Sequence, residues 1–252
     1  MIMVKTNDEI LKMKKAGEIL AGLHKEIKKM IKPGVTTMEI DRFVEKYLEE
    51  RGAYPEQKGY HGYPYATCAS INDEICHGFP RNEALQNGDI VSIDMVVRFD
   101  GWLADSAWSY GVGELSEEAG RLMEVTREAL YLGIDKAIPG NRLGDIGHAI
   151  QKHVEENGFS VVRDFVGHGI GKDMHEDPQV PHYGKPGRGA RLVEGMVITI
   201  EPMVNTGEWA MKLDDNKWTA RTVDGSLSAQ YEHTIAITAD GPIILTDQGE
   251  ER

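Results

Sequence analysis

The stretch PGVTTMEIDRFVEKYLEERGA, residues 33–53, returns 106 positions later as PGNRLGDIGHAIQKHVEENGF, residues 139–159. Aligned without a gap, seven of the twenty-one positions are identical: Pro33, Gly34, Ile40, Lys46, Glu49, Glu50 and Gly52. Amphipathic helices share letters by chance. A shared Pro-Gly start and a shared Gly stop go beyond chance, because such residues punctuate the backbone instead of filling a face. Another helical segment precedes each copy. Residues 7–31 place Ile10, Leu11, Met13, Ala16, Ile19, Leu20, Leu23, Ile27 and Met30 at helical spacing, and residues 116–138 read the same way. Thr36 or Thr37 can cap the helix that passes through Ile40, Phe43, Val44, Tyr47 and Leu48. The chain therefore reads as a duplication, with pseudo-repeats of about 1–115 and 116–252, each a helix pair followed by strands. Fused halves of this kind often bury one site between them.

Beyond each helix pair the hydrophobic period changes to two. VSIDMVVRF and WLADSAWSY flank the turn Asp100-Gly101 and predict a β-hairpin. MVITIEPMV, KWTARTV and SAQYEHTIAIT read as strands in the second half, joined by loops such as GKPGRGAR. No Pro/Ser-rich linker divides the halves. The expected fold is α+β, one domain over residues 1–252, with two related halves and a largely antiparallel sheet.

At 252 residues the chain can bury a substantial core, and a composition of 40% hydrophobic and 27% charged residues is that of a soluble globular protein. A formal net charge of −13 argues against nucleic acid as a partner. The lysines at 12, 14, 15, 25, 28, 29 and 32 read as the polar side of the first helix. No apolar run approaches the roughly 18 residues that span a bilayer, so no membrane association is expected. The N-terminus MIMVKTNDEILKMKK lacks the apolar region of a signal peptide. With only Cys68 and Cys76, both expected reduced, a cytoplasmic location follows.

Four acids break the apolar strand patterns: Asp94 in VSIDMVV, Asp105 in WLADSAW, Glu201 in ITIEPMV and Glu232 in AQYEHTIAI. Alternation on a core-facing strand leaves no room for a lone carboxylate, which buried costs several kcal/mol or takes up a proton. One such acid is most simply a buried ion pair or a strand end. Four, with few lysines or arginines in the same strands, call for one or two divalent metal ions. Hard oxygen ligands with one imidazole suit Mn²⁺, Fe²⁺, Co²⁺ or Zn²⁺, and two ions roughly 3.5–4 Å apart can hold a hydroxide nucleophile and polarise a carbonyl.

The imidazole is sought in GHGIGKDMHEDP, residues 167–178, where His168, His175 and later His182 stand seven apart. That spacing would line one helix face, but Gly167, Gly169, Gly171, Pro178 and Pro181 exclude a helix. In extended or looping backbone the interval separates roles. The glycines are expected to let backbone and substrate come close between His168 and His175.

The runs YHGYPYATCASINDEICHGFP, IDM with DSA eleven residues on, GHGIGKDMHEDPQVPHYG, ITIEPMVN and SLSAQYEHTIAIT together resemble the type I methionine aminopeptidases over about residues 4–247, in the family's order and spacing. This resemblance implies the pita-bread fold, two pseudo-symmetric halves around a dinuclear metal site. It implies that Asp94 chelates one ion, that Asp105 and Glu232 bridge both, and that His168 and Glu201 complete the second. It matches His77 to the histidine facing the scissile amide nitrogen and His175 to the one that hydrogen-bonds the substrate carbonyl oxygen. Glu201 would also carry the proton from the attacking water to the leaving amine, with Thr199 nearby. Tyr60, Tyr63, Cys68 and Trp218 would wall an apolar slot for an unbranched thioether, and a soft sulfur suits methionine. Met174 stands where the family often has phenylalanine.

The implied function is removal of the N-terminal methionine of nascent proteins when the second residue is small. The chain would act as a monomer, with transient ribosome association compatible with the lysine-bearing first helix. The remaining histidines are expected to be bystanders: His24, His148 and His153 at the surface or half-buried, His233 turned from the metal face, His61 and His182 without a catalytic role. Two alternatives stay open. Aminopeptidase P and prolidase share the fold but usually carry a further N-terminal domain; a non-catalytic pita-bread binding protein would usually have lost ligands. A type II enzyme is disfavoured, since only thirty residues lie between Glu201 and Glu232.

Overall fold

The computed structural model describes residues 1–249. The first half contains helices α1 (Asn7–Met30) and α2 (Thr37–Glu49) and strands β1 (Tyr54–Pro55), β2 (Cys68–Ile71), β3 (Glu74–Cys76), β4 (Ile90–Phe99) and β5 (Trp102–Gly111). The second contains α3 (Glu117–Ile134) and α4 (Leu143–Glu156), then β6 (Ser160–Val161), β7 (Gly167–Gly169), β8 (Glu176–Val180), β9 (Val197–Ile200) and β10 (Met203–Asn205). It ends with β11 (Met211–Leu213), β12 (Ala220–Thr222), β13 (Ser228–Gln230), β14 (His233–Thr238) and β15 (Gly241–Ile244). Among the described residues no helix is long and apolar enough to cross a membrane.

Local chemistry sets the helix ends. Thr6 and Thr36 are the N-caps of α1 and α2, and each exchanges two hydrogen bonds with the glutamate three residues on, Glu9 and Glu39. The two similar segments share backbone geometry. Gly34 and Gly140 have φ of 97° and 96°, a left-handed turn only glycine enters freely. The N–H of Gly34 bonds the carbonyl of Leu85, and that of Gly140 the carbonyl of Leu192. Past the second helix, Ala53 bonds back to Leu48 and Phe159 to Val154. Matching Pro-Gly and Gly letters thus encode matching turns.

The core lies between helices and strands, α1 and α2 covering the first half and α3 and α4 the second. His24, expected near the surface, is wholly buried on α1. It lies among Leu20, Leu23 and Ile27 on the stripe facing β5, and its Nδ1 is 2.7 Å from the Tyr110 hydroxyl. His148 is exposed and His153 half-buried, as the helical pattern predicts.

Among the described residues all strand pairs are antiparallel, but the ladder breaks into four small sheets. The β4–β5 hairpin turns at Asp100 and Gly101, both with positive φ. Two segments expected as single strands are each divided in two. MVITIEPMV breaks at Glu201-Pro202, where proline has no N–H for a ladder, and SAQYEHTIAIT breaks at Tyr231-Glu232. Both breaks fall at an acid of the site. The halves are stitched across β5: Thr234 Oγ1 accepts from the Asp105 N–H and donates to the Asp105 carbonyl, while Ser106 Oγ donates to the Glu232 carbonyl.

Candidate active site

Asp94 and Asp105 face the same side of the hairpin, Asp94 paired with Ala107 and Asp105 with Val96. The Glu232 N–H donates to the carbonyl of Ala107 at 2.8 Å, which brings Glu232 over the same face from the second half. Ligand atoms of Asp105, His168 and Glu232 lie within 4.8 Å of one another. His168 Nε2 is 3.6 Å from Asp105 Oδ2 and 3.5 Å from Glu201 Oε1. Five predicted residues therefore converge: Asp94, Asp105, His168, Glu201 and Glu232. Glu201 and Glu232 reach the cluster from strand breaks, and Asp94 is half-buried. In a break the backbone aims a side chain without the constraint of alternation.

His168 sits in β7 between glycines. A Cβ on Gly167 would lie 2.4 Å from the Thr199 carbonyl oxygen, and one on Gly169 would lie 2.2 Å from that of Asp177. The glycines flanking His168 thus serve close strand packing, with neighbouring backbone as what they admit. The His168 N–H donates to Thr199 Oγ1 at 3.0 Å, and that hydroxyl donates to Glu201 Oε1 at 2.7 Å. His168 Nδ1 donates to its neighbour's carbonyl, Gly169 O, at 2.9 Å, leaving the Nε2 lone pair facing the carboxylates.

A divalent ion fits this set of donors. Oδ1 of Asp105 and Oε1 of Glu232 are buried without a hydrogen-bond partner, and among the described residues no lysine or arginine pairs with these acids. Burial, and for Asp94, Glu201 and Glu232 the neighbouring acids, push the carboxyls above the ordinary carboxylate range, Asp105 to about 7. Burial holds His168 below the ordinary histidine value, and so neutral. Raised carboxyl values mean that the metal-free folded chain binds more protons than the unfolded chain. Its stability therefore falls as pH rises from near 3.8 through about 7. An ion takes the place of those protons. The gain in Tm when Mn²⁺ is added to chelator-stripped protein should grow between about pH 5 and about pH 7; a gain independent of pH would contradict this reading.

The cluster floors a cavity of about 210 Å³ lined by Tyr60, Tyr63, Cys68, His77, Met174, His175 and Trp218 among others. Tyr63 is buried, its hydroxyl donating to the carbonyls of Thr67 and Gly78, and its ring meets Trp218 edge-on at 5.1 Å. Trp218 stands in a turn whose Asn216 side chain accepts from the N–H groups of Trp218 and Thr219. His77 follows β3 with φ of 56°, a left-handed conformation rare for a side-chain-bearing residue and common where function demands it. Its ring packs on Phe165 at 5.3 Å, and burial with the nearby His175 pushes its pKa down to about 4. Partial burial, His168 and His61 lower His175 as well. Each of these rings is a neutral hydrogen-bonding group at neutral pH. His233 points away from the cluster to Thr246, at 2.8 Å.

Three site neighbours carried no signal in the sequence. His182, expected to be uninvolved, is fully buried, and its Nε2 accepts from the Glu201 N–H at 3.1 Å. Gln57 donates to the Asp94 carbonyl and accepts from the Val96 N–H, pinning the strand that holds Asp94. Phe165 completes the aromatic wall. Each acts through long-range packing that no local pattern records.

A metal-dependent hydrolase is the class that this fold and cluster define. Residues 11–239 match the family model described as metallopeptidase family M24, and the chain belongs to that family. It is 51% identical over 246 residues to methionine aminopeptidase 1 of Bacillus subtilis, covering 98% of this chain and 99% of that relative. The crystal structure of methionine aminopeptidase from Rickettsia prowazekii superposes with a TM-score of 0.97 at 43% identity, covering 98% of this chain and 100% of the other. Prolidase from Pyrococcus furiosus is more distant, with a TM-score of 0.76 at 25% identity over 99% of this chain but 66% of that one. These likenesses support the pita-bread arrangement of the fold.

Proposed function

We propose that this chain is a methionine aminopeptidase, hydrolysing the bond after an N-terminal methionine when the next residue is small. It would act as one catalytic domain over residues 1–252, whose pseudo-repeats, about 1–115 and 116–252, meet at the site. The observation that carries the reading is the convergence of buried acids without a lysine or arginine counter-charge, two of them with an unsatisfied oxygen, and His168 beneath an aromatic slot. Two divalent ions, Mn²⁺, Fe²⁺, Co²⁺ or Zn²⁺, would be held by Asp94, Asp105, His168, Glu201 and Glu232. When bound they supply a water of lowered pKa and a Lewis acid for the scissile carbonyl.

The protein groups do the rest. Tyr63, Cys68, Trp218 and the ring of Tyr60 enclose the thioether side chain and exclude water. Glu201, braced by Thr199, accepts the proton of the attacking water and passes it to the leaving amine. His77 faces the scissile nitrogen. His175 donates a hydrogen bond to the carbonyl oxygen as negative charge develops there. Met174, buried at 7% exposure, narrows the slot with a flexible chain. The protein would work as a monomer in the cytoplasm, on chains still at or just leaving the ribosome; sedimentation alone and with ribosomes checks both points.

Hydrolysis of Met-Ala-Ser with Mn²⁺ or Co²⁺, lost on chelation and restored by the ion, is the expected result. A folded, metal-loaded sample without that activity would sink the enzymatic reading in favour of a binding protein. Preferential cleavage of Xaa-Pro peptides would move the chain to the prolidase activity.

A further inference from the structure

Two histidine rings meet edge to face at the cluster, His168 and His175, with centroids 4.4 Å apart and planes at 64°. Their Nδ1 atoms meet opposite kinds of group. His168 Nδ1 faces a carbonyl oxygen, which can only accept, so its proton lies on Nδ1 and Nε2 carries a lone pair. His175 Nδ1 lies 2.9 Å from the hydroxyl of Tyr60, which can donate. The loop presenting Tyr60 is tightly folded, a single turn Tyr60–Gly62 entered through Gly59 at φ 89°, with Gly59 N–H bonded to the Tyr63 carbonyl at 2.6 Å. The turn places the Tyr60 side chain against His175.

The polarity of that bond follows from chemistry. A neutral imidazole has one N–H and one lone pair, and its partner decides which nitrogen keeps the proton. A phenol donates better than it accepts, because the oxygen lone pair is delocalised into the ring. Among the described residues His175 is the only protein partner of the Tyr60 hydroxyl. We propose that Tyr60 is a positioning residue as well as a wall: its hydroxyl donates to His175 Nδ1 and holds His175 in the Nε2–H tautomer. This rests on the reading that His175 donates to the substrate carbonyl. In the other tautomer Nε2 would turn a lone pair toward that oxygen and repel it. Adjacent histidines are thus locked in opposite tautomers, one to accept a cation and one to give a hydrogen bond.

Long-range ¹H–¹⁵N correlation spectra of the labelled, chelator-stripped protein report imidazole tautomers directly, with His175→Ala assigning the signal. Native His175 should show the Nε2–H pattern. In Tyr60→Phe the tautomer ratio should fall about tenfold. With Mn²⁺ restored, kcat on Met-Ala-Ser should fall in step with the Nε2–H fraction, by less than the ratio itself falls, while KM stays within about twofold, since the ring that lines the slot is kept. An Nδ1–H pattern in the native protein would overturn the proposal, as would a Tyr60→Phe variant with unchanged tautomer and kcat. A rise in KM alone would reduce Tyr60 to a wall and overturn it too. A Tyr60-dependent Nε2–H pattern in a chain that does not cleave Met-Ala-Ser would uphold the positioning role and sink the proposed activity.

Discussion

Glu201→Gln is expected to lower kcat by about 10³-fold, within the range a positioned proton carrier contributes. The amide has almost the same shape and can stay packed beneath the cavity, but it cannot take up a proton. It also sets an NH₂ group where one carboxylate oxygen now accepts from Thr199, at 2.7 Å, and stands 3.5 Å from His168 Nε2. Metal content should fall as well, because a neutral amide oxygen is a poorer ligand for a divalent ion than a carboxylate. Turnover and metal content measured on the same sample separate the two losses. Near-normal turnover would remove Glu201 from the proton path, and a loss explained wholly by missing metal would leave it a ligand only.

His175→Ala should lose roughly 10²- to 10³-fold in kcat, the usual cost of removing one donor to a developing oxyanion, while metal content stays unchanged. The ring stands beside His168 and contacts Tyr60, and it lies outside the group of ligand atoms formed by Asp105, His168 and Glu232. It is exposed at the cavity, so its removal opens no core void and Tm should shift little. Loss of metal in this variant would make His175 a ligand and break the division of labour between the two histidines. The contrast between the variants is the sharper test: Glu201→Gln disturbs metal and proton transfer together, His175→Ala only the transition state.

The acids of the site were legible in the sequence because a carboxylate amid apolar strand residues is costly without a counter-charge. The residues around them were not. Asp94 and Asp105 do occupy paired strands, but Glu201 and Glu232 stand where strands end. Periodicity finds the apolar flanks of such a break and misses the break itself. A histidine on an amphipathic helix looks like surface, and only its contact with Tyr110 places His24 in the core. His182 gave no sign of its burial under Glu201, since loop letters carry no period. Tyr60 was expected to offer only its ring, and its hydroxyl contact with His175 spans 115 residues of chain.

By itself, then, the sequence determined the two helix pairs, their Pro-Gly and Gly turns, the Asp-Gly hairpin and the identity of the acids that converge at the site. All of these depend on neighbours within a turn or two of backbone, where spacing maps directly onto geometry. Only the tertiary structure decided which side chains meet. The stitching of β5 to residues 228–234 brings Glu232 to Asp105, and the loop at Tyr60 reaches His175 from the other half of the chain. Those contacts arise from packing between segments distant in sequence, where a shift of a single ångström separates a hydrogen bond from a mere neighbour.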